Sequence, residues 1–499
     1  MVLLRLLVWL VVLAPGLWWG WQALHAPPPA LELEDGARLE WVDCWFERPW
    51  WRPIHCGRLH TAPEPGANPE RFALPVVYLR QWFWKRRGPP VLYIAGGPGG
   101  SAWLKSDEIA FWLEWFDAND WPADLVLYDQ RGVGLSQPAY DCPELRTVRR
   151  ELLPLPLPTE ETYRRVRDAS RACHDRLRAD GVDLHRFTTD LNVRDAIDLM
   201  RAMGLEQWDL YGVSYGSRVA LEMMRRAPRL LRAAVLDSPY PPEVNGELAD
   251  AWLLQRALEL FGRICELAGE CAQTPEELQT RLAEASERVR RESIKLSVRD
   301  PDTGRDIAVV YDDEDLAWLL FDAMYQWDLI PHLPESLRAL AEGRLDSPMR
   351  SLIQDSVDNL LDDAISDPVA SSVDCHDGGA VDLRDAEAQL QLYPRAAQIK
   401  RFDWQYHACR FWDSGEAPAA FRTPVVADVP TLLLAGEFDP VTPPEWAEDA
   451  VRHLRRGQVF VFPAVGHGVL DSHVCAAELV RDFFSDPNDP VVPKCLERL

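Results

Sequence analysis

Asp209-Leu210-Tyr211-Gly212-Val213-Ser214-Tyr215-Gly216-Ser217 is the stretch that decides the fold. A short apolar run ends at Gly212, and a helical pattern extends from Ser217 to Arg226 until Pro228 stops it. Between them, Gly212 to Gly216 fits G-x-S-x-G, the sharp strand-to-helix turn that holds a serine exposed while glycines keep neighbouring Cβ atoms from clashing. Alone the pattern is weak, arising by chance on the order of once in ten chains of this length. Its competitor is a glycine-rich turn with a structural serine. The strand before it and the helix after it favour the turn.

Working outward, Val91 to Ala95, Leu125 to Asp129 and Ala233 to Asp237 are further short apolar runs closed by small or acidic residues. Such runs read as buried parallel strands whose carboxyl ends carry function. Helical patterns such as Val193 to Met203 alternate with them, and Cys44 to Arg80 alternates apolar residues with turns like an antiparallel edge. Pro154, Pro156 and Pro158 mark an irregular excursion. From Pro241 to Asp428 strands are replaced by amphipathic helices, for example Ala251 to Ala268 and Pro275 to Ile294. Strands return at Thr431 to Ala435 and Val459 to Phe462, with a helix near Glu445 to Arg455. The expected architecture is an α/β core of mostly parallel strands flanked by helices, in two parts (27–240 and 429–499) separated by a helical lid (241–428).

The first residues, 1–26, form a separate segment: Arg5, then Leu6 to Trp21 without a charge. This reads as an export signal or a single membrane anchor, with Trp18, Trp19 and Trp21 resembling an interfacial belt. Arg5 before the run and Glu32, Glu34 and Asp35 after it put the body outside the cytoplasm, either periplasmic or secreted. The ten cysteines suit that placement, falling into neighbouring pairs: Cys44 with Cys56, Cys142 with Cys173, Cys265 with Cys271, Cys375 with Cys409, and Cys475 with Cys495. Buried free thiols are the alternative, and sequence alone does not settle connectivity.

Composition excludes some functions. At 499 residues, 47% hydrophobic and 26% charged, the chain can bury a large core. A formal net charge of -26 argues against a nucleic-acid partner. No cysteine or histidine spacing offers a metal site, and no cofactor is implied. Oligomeric state is not legible.

A serine hydroxyl needs a base to take its proton and a carboxylate to hold that base in the right tautomer. Asp439 follows one returning strand and His467 the next, so both should lie at the strand ends where Ser214 lies, in the order serine, acid, histidine. Glu437 is the rival acid and His473 the rival base. Ala95-Gly96-Gly97-Pro98-Gly99-Gly100 follows an early strand, and a loop so poor in side chains lets backbone amides approach a developing oxyanion. Gly97 and Tyr215 are the expected donors. A phosphate cradle is the other reading of these glycines, but no Gly-Lys-Ser/Thr ending follows. In Asp129 to Ser136, Arg131 and the glycine turns read as bracing for this side of the sheet.

With these pieces, the chain resembles the exported prolyl and tripeptidyl aminopeptidases of the α/β-hydrolase superfamily. The likeness runs from about Cys44 to the C-terminus, through Gly96 to Gly100, Asp129 to Ser136, Gly212 to Ser217, Leu236-Asp237, Asp439 to Pro443 and Gly466-His467-Gly468. It implies a Ser214, Asp439, His467 triad, an oxyanion hole at Gly97 and Tyr215, and removal of residues from peptide N-termini through an acyl-enzyme. Such enzymes hold the substrate amine with lid carboxylates, for which Glu243 and Glu247 are candidates; exposed, solvated carboxylates are the competing reading. The chain departs from the pattern at Ser238, where a glycine is expected. An esterase or lipase with the same triad is the main rival, and a tethered binding protein on a hydrolase scaffold is a more distant one.

Overall fold

The computed structural model describes residues 26–496 apart from 65–70, 262, 265–273, 326–328, 380, 395 and 398–402. The apolar run Leu6 to Trp21 and the cysteines Cys265 and Cys271 lie outside the described residues.

Nine strands form the main sheet: β1 (Arg38–Val42), β2 (Ile54–His60), β3 (Ala73–Leu79), β4 (Val91–Ile94), β5 (Leu125–Tyr128), β6 (Trp208–Val213), β7 (Leu231–Asp237), β10 (Thr431–Gly436) and β11 (Gly457–Phe462). A two-stranded hairpin of β8 (Ile294–Arg299) and β9 (Asp306–Tyr311) stands apart. The main order is β1-β2-β3-β5-β4-β6-β7-β10-β11. From β5 to β11 all neighbours are parallel, whereas β1, β2 and β3 form the antiparallel edge. This is an α/β-hydrolase core. Its central strands read as unbroken apolar runs because helices cover both faces. Leu125 to Tyr128 and Thr431 to Gly436 are buried at every position.

Two packed layers sandwich the sheet. On one side Val193, Met200, Val219 and Met223 pack against Leu92, Leu210 and Leu433. On the other, Trp112, Trp115 and Phe116 join Val480 and Phe483 against Val91, Tyr211 and Leu434. The strand residues alternate between these layers, as a period of two requires.

The chain leaves the sheet after β7 and returns at β10, crossing helices at Gly246–Phe261, Pro275–Arg291, Asp313–Ala323, Ser347–Leu361 and Asp367–Asp377. This insert has its own apolar core around Leu278, Val289, Leu319, Leu337 and Ile353. It is not wholly helical as the sequence reading has it. The helix expected to reach Ile294 ends at Arg291, and β8 and β9 pair around the turn Asp300 to Gly304.

Four of the expected disulfides are present among the described residues: Cys44–Cys56, Cys142–Cys173, Cys375–Cys409 and Cys475–Cys495. Bridges of this kind form and persist in oxidising compartments outside the cytosol.

Arg131 is buried, as its bracing role demands. It forks onto Asp195 at 2.8 and 2.7 Å and donates to Glu64 at 2.8 Å and to the Arg186 carbonyl at 3.0 Å. Replacing Asp195 with alanine should cost about 3 kcal/mol, the low end for an orphaned buried cation because Glu64 remains. Urea unfolding of D195A against the wild type measures it.

Candidate active site

Ser214 sits between β6 and the helix Tyr215–Arg226 at φ 55° and ψ -123°, a backbone region that side chains rarely adopt. The turn is so tight that a Cβ on Gly212 would lie 2.5 Å from the Gly216 carbonyl oxygen. One on Gly216 would lie 2.0 Å from the carbonyl oxygen of Ile94. The motif's glycines are therefore required by contact with the neighbouring strand as well as by the turn.

Asp439 and His467 meet. His467 Nδ1 lies 2.8 Å from Asp439 Oδ2, and Asp439 is fully buried. The carboxylate also accepts the amides of Val441 and Thr442 at 2.9 and 2.8 Å and the Thr442 hydroxyl at 2.7 Å. Burial alone would raise Asp439; the His467 charge and these donors outweigh it and hold the carboxyl below its ordinary range. Burial likewise pushes His467 down, but the Asp439 charge prevails and leaves the imidazole above 6.5. Glu437, the rival acid, points elsewhere and pairs with Arg263 at 3.1 Å. His473, the rival base, caps the helix Val474–Ser485 by accepting the Cys475 amide.

Serine and histidine hang from the end of β7. The Ser214 amide donates to the Asp237 carbonyl at 2.9 Å. The Asp237 carboxylate accepts the amides of Val469 and Leu470 at 2.8 and 2.9 Å, and Gly468 donates to Ser238 Oγ at 3.0 Å. Ser238 itself has φ 53°, which explains why a glycine is expected there. Sequence reasoning assigns no role to Asp237 or Ser238; Asp237 closing a buried strand beside the motif is the signal available to it.

The loop at Gly96 abuts the nucleophile candidate: a Cβ on Gly96 would be 3.1 Å from that of Ser214. Asp129 holds this loop by accepting the Ala102 amide at 2.7 Å. Tyr215 is the first residue of its helix, so its amide has no intrahelical acceptor. Its phenol is buried, 2.7 Å from the Thr189 hydroxyl and 3.0 Å from the Asn192 amide nitrogen.

The insert reaches this centre by backbone contact. Gly100 bridges Ile365, with Ser101 donating to Ala364 at 2.8 Å and Ser366 to Gly99 at 2.9 Å. A Cβ on Gly466 would lie 2.0 Å from the Met324 carbonyl oxygen, and the Tyr325 ring sits 5.2 Å from that of His467. Arg256 donates to the carbonyls of Asp439 and Glu437 at 3.1 and 3.0 Å.

The two carboxylate candidates separate. Glu247 meets His407 at 3.1 Å and faces Asp374, which desolvation and the Glu247 charge push up to about 8. Glu243 does not join them: it faces His453, Arg218 and Arg225 along the flank of the helix Tyr215–Arg226. Asp374, missed in the sequence, is brought in by the helix Asp367–Asp377. A cavity of about 380 Å³ lies beside the insert, lined by Leu153, Tyr163, Asp315, Trp318 and Asp322 among others, and none of the three triad candidates lines it. Among the described residues no cluster could hold a metal ion.

Residues 397–495 match the family model described as TAP-like protein. The chain is 29% identical over 220 residues to the tripeptidyl aminopeptidase of Streptomyces lividans, covering 41% of this chain and 39% of that one. The match thus spans well under half of that relative's length. It is 24% identical over 401 residues to serine protease Hip1 of Mycobacterium tuberculosis, covering 74% of this chain and 73% of that one. Among solved structures, the proline iminopeptidase-related protein of Thermus thermophilus aligns at 19% identity over 92% of this chain and 99% of its own, with a TM-score of 0.33.

The His467 imidazole should titrate above 6.5, read from its ring 15N shifts. In D439N that value should fall, because the carboxylate charge that raises it is gone; in E437Q it should stay.

Proposed function

We propose that the protein is an extracytoplasmic serine exopeptidase that removes short N-terminal pieces from peptides through an acyl-enzyme. The observation that carries the reading is the contact of His467 with the buried Asp439, on the same strand ends as a serine held at φ 55°. The names of the relatives, a tripeptidyl aminopeptidase and a serine protease, favour peptides over esters as substrates.

In this reading Ser214 attacks the scissile carbonyl while His467 takes its proton and later delivers it to the leaving amine. Asp439 holds the tautomer and stabilises the imidazolium. The amides of Gly97 and Tyr215 receive the oxyanion. The insert at 241–428 is a lid that limits access to short or unfolded chains. Glu247 and Asp374 are the groups we assign to the substrate amine; an ammonium between them would offset the burial and the Glu247 charge that raise Asp374. Glu243 is left outside that role. The segment 1–26 delivers the body across a membrane and either anchors it there or is removed.

Purified protein should cleave free-amine peptidyl anilides far better than N-blocked anilides or p-nitrophenyl esters; the reverse preference would make it an esterase. S214A should lose about 10^6-fold in kcat, and D439N about 10^4-fold. Because the base must be neutral, kcat/KM should rise with pH through an ionisation above 6.5. E247Q should lower kcat/KM on free-amine substrates about 10- to 100-fold, the worth of one charged hydrogen bond, and leave ester hydrolysis nearly unchanged.

A further inference from the structure

Two loops at the edge of the sheet carry an exposed aromatic cluster that the proposed chemistry does not use. Arg48-Pro49-Trp50-Trp51-Arg52-Pro53 leads into β2, and Arg80-Gln81-Trp82-Phe83-Trp84-Lys85-Arg86-Arg87 leaves β3. Trp50 is 79% exposed, Trp51 52%, Phe83 63% and Trp84 56%. So much exposed ring surface in one place is unusual for a side of a protein that faces only water.

The loops are neighbours. The Arg80 amide donates to the Pro53 carbonyl at 3.1 Å, and both loops clasp the same turn. Arg52 pairs there with Asp117, Lys85 with Asp120, and the Arg87 amide with the Pro122 carbonyl. Trp82 stacks on Trp84 with ring centroids 5.1 Å apart, and Phe83 meets Trp84 edge-on at 5.0 Å. Trp50 meets Trp51 edge-on at 6.0 Å, so each of the two adjoining loops presents its own exposed ring group, and together they make the patch. Together the loops hold six cations (Arg48, Arg52, Arg80, Lys85, Arg86 and Arg87) and no acid of their own, in a chain whose net charge is -26; Arg52, Lys85 and Arg86 pair with Asp117, Asp120 and Asp124.

What covers the patch is indicated by where the N-terminal segment leaves the body. The Ala26 carbonyl accepts from Arg80 at 3.1 Å, and Pro27 to Pro29 line a groove with Arg80, Arg86 and Pro90. The uncharged run ending at Trp21 is five residues from Ala26, at most about 18 Å of extended chain. Aromatic rings with arginine and lysine beside an apolar segment are the composition of a membrane interface, where rings sit at the headgroup level and cations meet lipid phosphates. The patch also lies at the end of the sheet where β4 and β5 begin, whereas Ser214, Asp439 and His467 follow the opposite ends of their strands.

Resting on the reading of segment 1–26 as a retained anchor, we propose that Trp50, Trp51, Phe83 and Trp84 seat on the phospholipid bilayer that this segment enters, holding the body with its candidate active site turned away from the membrane. The test uses the full chain in phosphatidylcholine:phosphatidylglycerol liposomes doped with a photoactivatable diazirine phospholipid, with labelled peptides mapped by mass spectrometry. The expected result is labelling of the peptides spanning 48–53 and 80–87. In the W50S/W51S/F83S/W84S variant that labelling should fall at least tenfold, with peptide hydrolysis unchanged. Wild-type protein in which neither loop is labelled overturns the proposal, whatever the variant does. A detergent-solubilised wild type that sediments as a dimer, and a variant that sediments as a monomer, would also overturn it by giving the patch to a second copy of the chain.

Discussion

At the end of β7 the buried Asp237 carboxylate takes two backbone amides of the histidine loop, while its own carbonyl takes the amide of Ser214. Three segments distant in sequence are registered to one another through this residue. Its position is unfavourable for a charge, since burial outweighs the two amides and raises the carboxyl to about 6. A carboxyl raised in the folded state withdraws stability as pH climbs from the ordinary carboxylate range to about 6. The arrangement costs stability in exchange for a rigid link between the Ser214 turn and the histidine loop, a trade typical of functional sites.

Much of this was legible from local chemistry. The turn at Ser214 was readable because its glycines, the strand before it and the helix after it are contiguous in the chain, and each constrains the next. The parallel strands were readable because burial on both faces leaves continuous apolar runs. Asp439 and Glu437 could not be separated in this way. They follow the same strand two residues apart, and only the turn through Thr442 aims one at His467 and the other at Arg263. The β8–β9 hairpin escaped because a helix runs almost into it; the alternation of Ile294, Leu296 and Val298 before the turn Asp300 to Gly304 was the available signal. Asp374 had none, since its meeting with Glu247 depends on packing between helices far apart in the chain.

The disulfide Cys375–Cys409 ties the end of the helix Asp367–Asp377 to the short turn Ala408–Arg410. That fastens Asp374 beside His407, and His407 in turn holds Glu247. Without the bridge, the cost of burying Asp374 beside the Glu247 charge would favour their drifting apart. The covalent link and the histidine together keep the two acidic groups close, which helps hold Asp374 above the ordinary carboxyl range.

The insert touches the core through main chain, at Gly100 with Ile365 and at Gly466 with the Met324 carbonyl. Such contacts leave no room for a side chain to adjust. The two regions therefore cannot be treated as interchangeable modules: an insert borrowed from another chain would bring a different backbone to Gly466 and unseat the histidine loop. Changes in the insert and in the core at these points are expected to be inherited together.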